Sequence, residues 1–293
     1  MSAHAPTPPD PGSPAPAPAP APVSAVLVTA AASITVQPRT AIVAAMAQEL
    51  AALLAHPDGD FAVQVHAGRR FHVGRLHGEP VVLVLCGIGK VAAATTAVLL
   101  AERYGVQRLV FTGVAGGLAS GVRVGDVVVA GSLLQHDMDA SPLFPRWEVP
   151  LTGRSEFPAD AALSDALSAA AAQVLTEPGH YGAAGLAEEV HALGVHEPVL
   201  HRGLIVSGDR FVSSADESQA LQADLPAALA VEMEGAALAQ ACHDLGLPFA
   251  VLRTISDRAD DSAHVDFVRF IEVVASHASA AIVGRWLRSL PGR

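Results

Sequence analysis

From Thr40 onward the apolar positions of this chain follow two periods. Runs such as "TAIVAAM", "EPVVLVLCG", "QRLVFTG", "VGDVVVAGSLLQ", "LHRGLIVSGD", "ALAVEM" and "PFAVLRTISD" are almost continuously apolar, the mark of strands buried on both faces. Between them, "AQELAALLA", "KVAAATTAVLLAERYG", "ADAALSDALSAAAAQVL", "ADESQALQADL" and "EGAALAQACHDLG" carry helical spacing. Gly105 supplies a helix C-cap, and the 159–175 helix is expected to hold acidic residues in its first turn. A last helix is expected from about Val265 to Leu290. "FHVGRLHG" followed by "EPVVLVLCG" reads as a hairpin, which makes the sheet mixed. The pattern predicts an α/β fold, a three-layer α/β/α sandwich around a central mixed twisted sheet. It runs through residues 39–293 as one domain.

In such sheets the functional loops gather at the carboxyl ends of strands. Five segments fit that place: "AMAQE" (45–49), "GIGK" (87–90), "GVAGG" (113–117), "EME" (232–234) and "ISDRADD" (255–261). Residues 1–38 stand apart. Their Pro/Ala-rich start, "MSAHAPTPPDPGSPAPAPAPAPV", cannot pack and is expected to be disordered. The apolar stretch after it has no Lys or Arg before it, so no secretory signal is read there.

Composition narrows the partners. The chain has 293 residues and a net charge of −11, which argues against nucleic acid or an anionic membrane, since both want a basic face. A cytoplasmic protein is expected. The two cysteines, Cys86 and Cys242, lie in apolar segments without C-x-x-C spacing, so neither a disulfide framework nor a cysteine zinc site is expected. Without H-E-x-x-H or a tight His/Cys cluster, no metal is expected.

The motifs differ in what they specify. "CGIGKVA" matches G-x-G-x-x-A between a strand and a helix, a dinucleotide fingerprint and hence a nicotinamide-dependent oxidoreductase reading. The acidic residue that should follow about 20 positions on for the ribose is missing from "RLVFTGVAGG". A phosphate loop of the G-x-x-x-x-G-K-[ST] type is also absent. "GVAGG" reads either as a tight turn or as a loop whose N–H groups face a ligand. Asp257, at the end of a buried strand, is either a helix N-cap or a site acid. Glu49, early in a helix, is either a dipole complement or part of a site. Glu232 and Glu234 flank Met233 between two apolar segments, so surface exposure does not explain them. One of the two could cap the following helix. The other would then accept two hydrogen bonds from vicinal hydroxyls.

Together these segments resemble the nucleoside phosphorylase/hydrolase superfamily, and within it the 5′-methylthioadenosine/S-adenosylhomocysteine nucleosidases. The matching pieces, in order, are "IVAAMAQEL", "LCGIGKVAAA", "FTGVAGGL", "VGDVVVAGSLLQHDMD", "RGLIVSGDRFV", "AVEMEGAALAQACHDLGLPFAVLRTISDRAD" and "HVDFVRF". The resemblance implies hydrolysis of an adenine N-glycosidic bond through an oxocarbenium-like state, with no metal or cofactor. It implies Asp257 as the acid to adenine N7, Glu49 as the group that activates water, and Glu234 as the ribose-diol acceptor. An apolar strand end raises a carboxyl pKa in the sense such an acid needs. Met233 would lie under the sugar, with Glu232 beside it. Phe211 would stack on adenine, Val212 would offer its backbone to the base edge, and Ser256 would support the acid. Ile88 and Phe267 would line the pocket for the 5′-alkylthio group. Val114, Ala115 and Gly116 fall on the family's ligand loop.

Two departures matter. Val114 stands where the family often has a hydroxyl that in phosphorylases helps bind phosphate, and the N-terminal strand lacks their phosphate loop; both favour water as the nucleophile. The segment "MDASPLFPRWEVPLTG" replaces a more usual aromatic/Gly stretch. In family homodimers this region reaches the neighbouring 5′ pocket, which makes Phe144 and Trp147 candidates in the 140–150 loop. The 178–198 segment is unmatched. Another 5′-substituted adenosine, such as aminodeoxyfutalosine or 5′-deoxyadenosine, and a purine nucleoside phosphorylase remain the neighbouring readings.

Overall fold

The computed structural model describes residues 40–177, 187–195, 197–259 and 267–290. The expectations for the tail, for residues 178–186 and for Asp260 and Asp261 fall outside these. In chain order the elements are β1 (Thr40–Ala44), α1 (Ala47–Leu54), β2 (Asp60–His66), β3 (Arg69–Leu76), β4 (Glu79–Leu85), α2 (Lys90–Tyr104), β5 (Arg108–Gly117), β6 (Val127–Gln135) and β7 (Glu156–Pro158). There follow α3 (Ala161–Thr176), α4 (Ala187–Ala192), β8 (Leu200–Ser207), α5 (Ala215–Asp224), β9 (Ala228–Glu232), α6 (Gly235–Leu245) and β10 (Phe249–Asp257). The last helical run is α7 (Phe267–Phe270), a π-helical turn (Ile271–Ala275) and α8 (Ser276–Ser289).

The strands form one mixed sheet in the order β10-β6-β8-β9-β5-β1-β4-β3-β2, and β10 also pairs with β5. β5, β10, β6, β8 and β9 therefore close into a ring, from which β1, β4, β3 and β2 continue as an open sheet. β1, β4, β5 and β10 run parallel. β6, β8 and β9 are parallel to one another and meet the first set antiparallel, at β10–β6 and β5–β9.

Period-two alternation sends neighbouring residues to opposite faces. In β1, Ala41 and Val43 join a buried cluster with Ala97 and Leu100 of α2 and Leu238 of α6. Ile42 and Ala44 join another with Leu50 and Leu53 of α1, Leu167 of α3 and Trp286 of α8. These are the two outer layers of the sandwich. The Phe267–Ser289 run is long and apolar enough to cross a membrane by length and composition, but its Ile282, Val283 and Trp286 are fully buried in the second cluster.

The structure adds β7 and α4, which the sequence reading does not contain, and differs from it in three further places. β2 is an additional edge strand whose alternate side chains face solvent, with Val65 65% exposed, so it lacks a continuous apolar run. "GVAGG" is not a loop, because Val114–Gly117 extend β5. Gly116 and Gly117 pair with Val231 and Ala230, and a Cβ on Gly116 would stand 2.9 Å from Ala259 Cβ and 3.0 Å from Asp257 Oδ1. The glycines let chain segments approach, which is a strand role as much as a turn role. Finally, α3 has no acid in its first turn: Asp160 is its N-cap, accepting from Leu163 N–H at 2.8 Å.

Candidate active site

The two parallel sets overlap only briefly where β5 meets β9, and a cleft with about 640 Å³ of empty space opens beside that overlap. Strand ends supply most of its wall. Ala45, Met46 and Glu49 follow β1, Ile88 follows β4, and Val114, Ala115 and Gly116 end β5. Arg210, Phe211 and Val212 follow β8, Val231 to Glu234 end β9, and Ser256 and Asp257 end β10, with Phe267 opening the last helix. Thirteen of the fifteen residues singled out from sequence thus line one cleft. The exceptions are Phe144 and Trp147, which lie in the loop after β6 and do not line the cleft of their own chain. Trp147 in that loop packs on a separate apolar cluster, and its Nε1–H donates to His136 O at 3.2 Å.

Glu49 does two jobs at once. It is buried, at the third position of α1, and its Oε2 accepts the Ala45 and Met46 N–H groups at 2.9 and 2.8 Å. Its Oε1 accepts the Val114 N–H at 3.0 Å. A Cβ on Gly113 would come within 2.6 Å of that oxygen, so glycine is what lets β5 approach the carboxylate. Burial raises the Glu49 pKa, against the three N–H donors and Arg253, which pull it down.

Glu232 is engaged on every side. It accepts from Ser207 Oγ and from Gly235 N–H at 2.9 Å, which caps α6. It also pairs with Arg253 Nη2 at 2.7 Å, with both side chains buried. Arg253 lies over the Phe111 ring, 4.0 Å from its centroid, and donates through Nη1 to Leu252 O and Phe111 O. Sequence reasoning missed Arg253. Its signal was a lone cation inside an otherwise apolar strand, a residue that is rarely buried unless paired.

Glu234 contrasts with its neighbour. Its Oε1 accepts the Gly89 N–H at 2.8 Å, and its Oε2 has no partner among the described residues. Burial first, and the nearby Glu232 charge second, push its pKa up to about 8. At the end of β10, Ser256 Oγ donates to Asp257 Oδ2 at 2.7 Å, and Asp257 Oδ1 accepts the Ala259 N–H at 2.7 Å. The rim is apolar: Phe211 meets Phe267 edge to face at 5.9 Å, and Ile88 is 60% exposed. Burial pushes the Cys86 thiol up, and its Sγ donates to Gly87 O at 3.0 Å, so it stays protonated. At the far end of β4, Asp58 Oδ2 lies 3.0 Å from His77 Nδ1 and 4.0 Å from His56 Nδ1. Arg288 Nη1 stands 3.1 Å from His77 Nε2, which sets a positive charge against that cluster.

Known proteins share this chain's family and fold. Residues 39–288 match the family model described as the phosphorylase superfamily. A 5′-methylthioadenosine/S-adenosylhomocysteine nucleosidase of Shewanella denitrificans is 35% identical over 224 residues, which is 76% of this chain and 88% of the relative. The Streptococcus pneumoniae nucleosidase of the same name, solved with a transition-state inhibitor, superposes with a TM-score of 0.72 at 35% identity, covering 86% of this chain and 99% of that one. A futalosine hydrolase of Helicobacter pylori superposes equally well, with a TM-score of 0.72 at 32% identity over 87% of this chain and 99% of that one.

Proposed function

Because this chain belongs to the phosphorylase superfamily, and within it to the 5′-methylthioadenosine/S-adenosylhomocysteine nucleosidase family, we propose that it hydrolyses the N-glycosidic bond of adenosines carrying a 5′-thioether. The observation that carries this reading is the meeting of Glu49, Glu234 and Asp257 in one cleft with an apolar rim of Ile88, Phe211 and Phe267.

In this reading water attacks the anomeric carbon while the bond to adenine N9 breaks and its electron pair passes into the purine. Asp257 gives a proton to N7, and Glu49 takes one from the water. Adenine and a 5-thio-substituted ribose leave. A carboxylate whose pKa is raised by burial suits a base working near neutral pH. Glu234 offers its open Oε2 to the ribose diol, with Met233 beneath the sugar. The ribosyl group gains positive charge as the bond breaks. Of the four carboxyl groups that line the cleft, Asp257 enters as the neutral acid and Glu232 is compensated by Arg253, so Glu49, joined by Glu234 where it is ionised, supplies the negative charge that favours an oxocarbenium-like state.

An assay of adenine release from 5′-methylthioadenosine, with and without phosphate, tests the proposal. Phosphate-independent release is expected, because Val114 offers only its backbone N–H, and that group is bound to Glu49. A requirement for phosphate, with ribose 1-phosphate as product, would overturn the hydrolytic reading. The likeness to futalosine hydrolase favours a second reading, a nucleosidase for another 5′-substituted nucleoside, so aminodeoxyfutalosine belongs in the same panel.

A further inference from the structure

The motifs "GIGK", "HDMD" and "SGDRF" each contribute one charged residue that the reaction above does not use. Lys90, Asp137 and Asp209 lie next to one another and are not among the residues that line the cleft. Asp137 Oδ1 accepts from Lys90 Nζ at 2.6 Å, and its Oδ2 accepts the Asp209 N–H at 2.9 Å. Asp209 Oδ1 in turn accepts the Lys90 N–H at 2.7 Å. The three residues therefore close a ring of hydrogen bonds across the loops that follow β4, β6 and β8.

Each loop held by this ring carries a working part of the cleft. Gly89, whose N–H binds Glu234, directly precedes Lys90. Phe211 lies two residues after Asp209. We propose that Lys90, Asp137 and Asp209 are positioning residues, whose ring locks the Gly89 donor against Glu234 and the Phe211 ring over the base in a single arrangement. The proposal rests on the reading of this cleft as a nucleoside site. Burial alone would raise the Asp137 pKa; the Lys90 ammonium and the Asp209 N–H overcome it and hold the carboxyl below its usual range, as a carboxylate with two fixed donors should be. The Lys90 and Asp137 side chains are 17% and 33% exposed, so this ion pair adds little to global stability. What its loss changes is the geometry of the loops. Glu49 and Asp257 belong to other strand ends and keep their own donors.

The full chain is assayed for adenine release from 5′-methylthioadenosine across pH, as wild type, Asp137→Ala, Lys90→Met, the double variant and Lys90→Arg. Hydrogen exchange is followed on the same proteins. Each loss variant is expected to raise KM about tenfold, the weight of one hydrogen bond to a charged group, with kcat nearly unchanged. The double variant should be no worse than either single one, since both break one ring. Lys90→Arg should restore most of the KM. With the Gly89 donor loosened, the pH at which KM improves should move upward, because Glu234 loses a partner for its ionised form. Exchange should quicken around Gly89 and around Phe211 together, with β1 and β10 unchanged. A wild-type KM in both single variants, or unchanged exchange around Gly89, would overturn the proposal. Lys90→Met keeps the Lys90 backbone N–H and carries the test if Asp137→Ala does not fold. A wild-type protein that releases no adenine defeats the functional reading, and the exchange result then decides by itself whether the ring locks the loops.

Discussion

At the floor of the cleft Glu232 is held by Ser207, by the first turn of α6 and by Arg253, whereas two residues on Glu234 keeps one carboxylate oxygen without a partner among the described residues. Around the rim, Ile88 and Phe211 leave apolar surface open at 60% and 40% exposure. The two regions divide the work. Groups whose polar atoms are all satisfied inside the protein fix its geometry. Groups left open hold potential that a ligand must satisfy. Glu49 and Asp257 are anchored by backbone N–H groups and also line the cleft.

The largest effects should come from those two. Asp257→Asn and Glu49→Gln remove a proton donor and a proton acceptor from the proposed reaction. Each should lower kcat by about a hundredfold to ten-thousandfold. Both proteins should still melt cooperatively: in Asp257→Asn the amide can accept the Ala259 N–H and donate to Ser256 Oγ, whereas in Glu49→Gln the NH2 group faces a backbone N–H that loses its acceptor, at a cost of about 1–3 kcal/mol. Adenine release by the purified variants, with circular dichroism melts alongside, checks this. Near-normal turnover in either variant removes that residue from the mechanism.

A sharper test sets Glu232 against Glu234. Glu232→Gln leaves the Arg253 guanidinium buried without its counter-charge and should cost about 3–5 kcal/mol of stability. Glu234→Gln should do the reverse, and only at higher pH. The ordinary Glu value is 4.5, and in the folded chain Glu234 is pushed up to about 8. Between these values the unfolded chain has released a proton that the folded chain still binds, so this group makes stability fall as pH rises. Glu49, also raised by burial, acts in the same direction. Glu234→Gln should therefore match the wild type near pH 4.5, exceed it increasingly toward pH 8, and lose substrate affinity throughout. Thermal melts at four or five pH values read the slope. A wild-type slope unchanged by the substitution would mean that Glu234 ionises normally in the fold.

This division explains what the sequence could and could not disclose. Strands buried on both faces write continuous apolar runs, so β1, β4, β6, β8 and β10 were legible. β2 was not, because an edge strand alternates with solvent-facing residues and resembles a loop. The positions of Glu49, Glu234 and Asp257 were legible as carboxylates at strand ends, and family resemblance then supplied roles that spacing alone left open. "GVAGG" misled because glycine marks close approach in strands as well as turns, and only the pairing with β9 and β10 decides between them. Arg253 was missed for a related reason. Its partner Glu232 lies on another strand, so the ion pair exists only in three dimensions.

The rim should give the smallest effects, and those most dependent on substrate. Phe211 stands edge to face with Phe267 and is proposed to stack on the base. Phe211→Leu keeps an apolar surface but loses the ring, and should raise KM about tenfold for every adenosine tested, in line with the worth of one base–aromatic stack. Phe144 should behave differently. It does not line the cleft of its own chain, and a role for it requires the proposed homodimer, in which the 140–150 loop reaches the neighbouring 5′ pocket. Phe144→Ala should then change KM by only about threefold, the scale of a small apolar contact. It should do so more for large 5′ substituents than for the methylthio group. Light scattering measures the oligomeric state, and a substrate series graded in 5′ size measures the selectivity. An equal shift for all substrates, or a monomer with full activity, would return the rim to the single chain and leave Phe144 outside it.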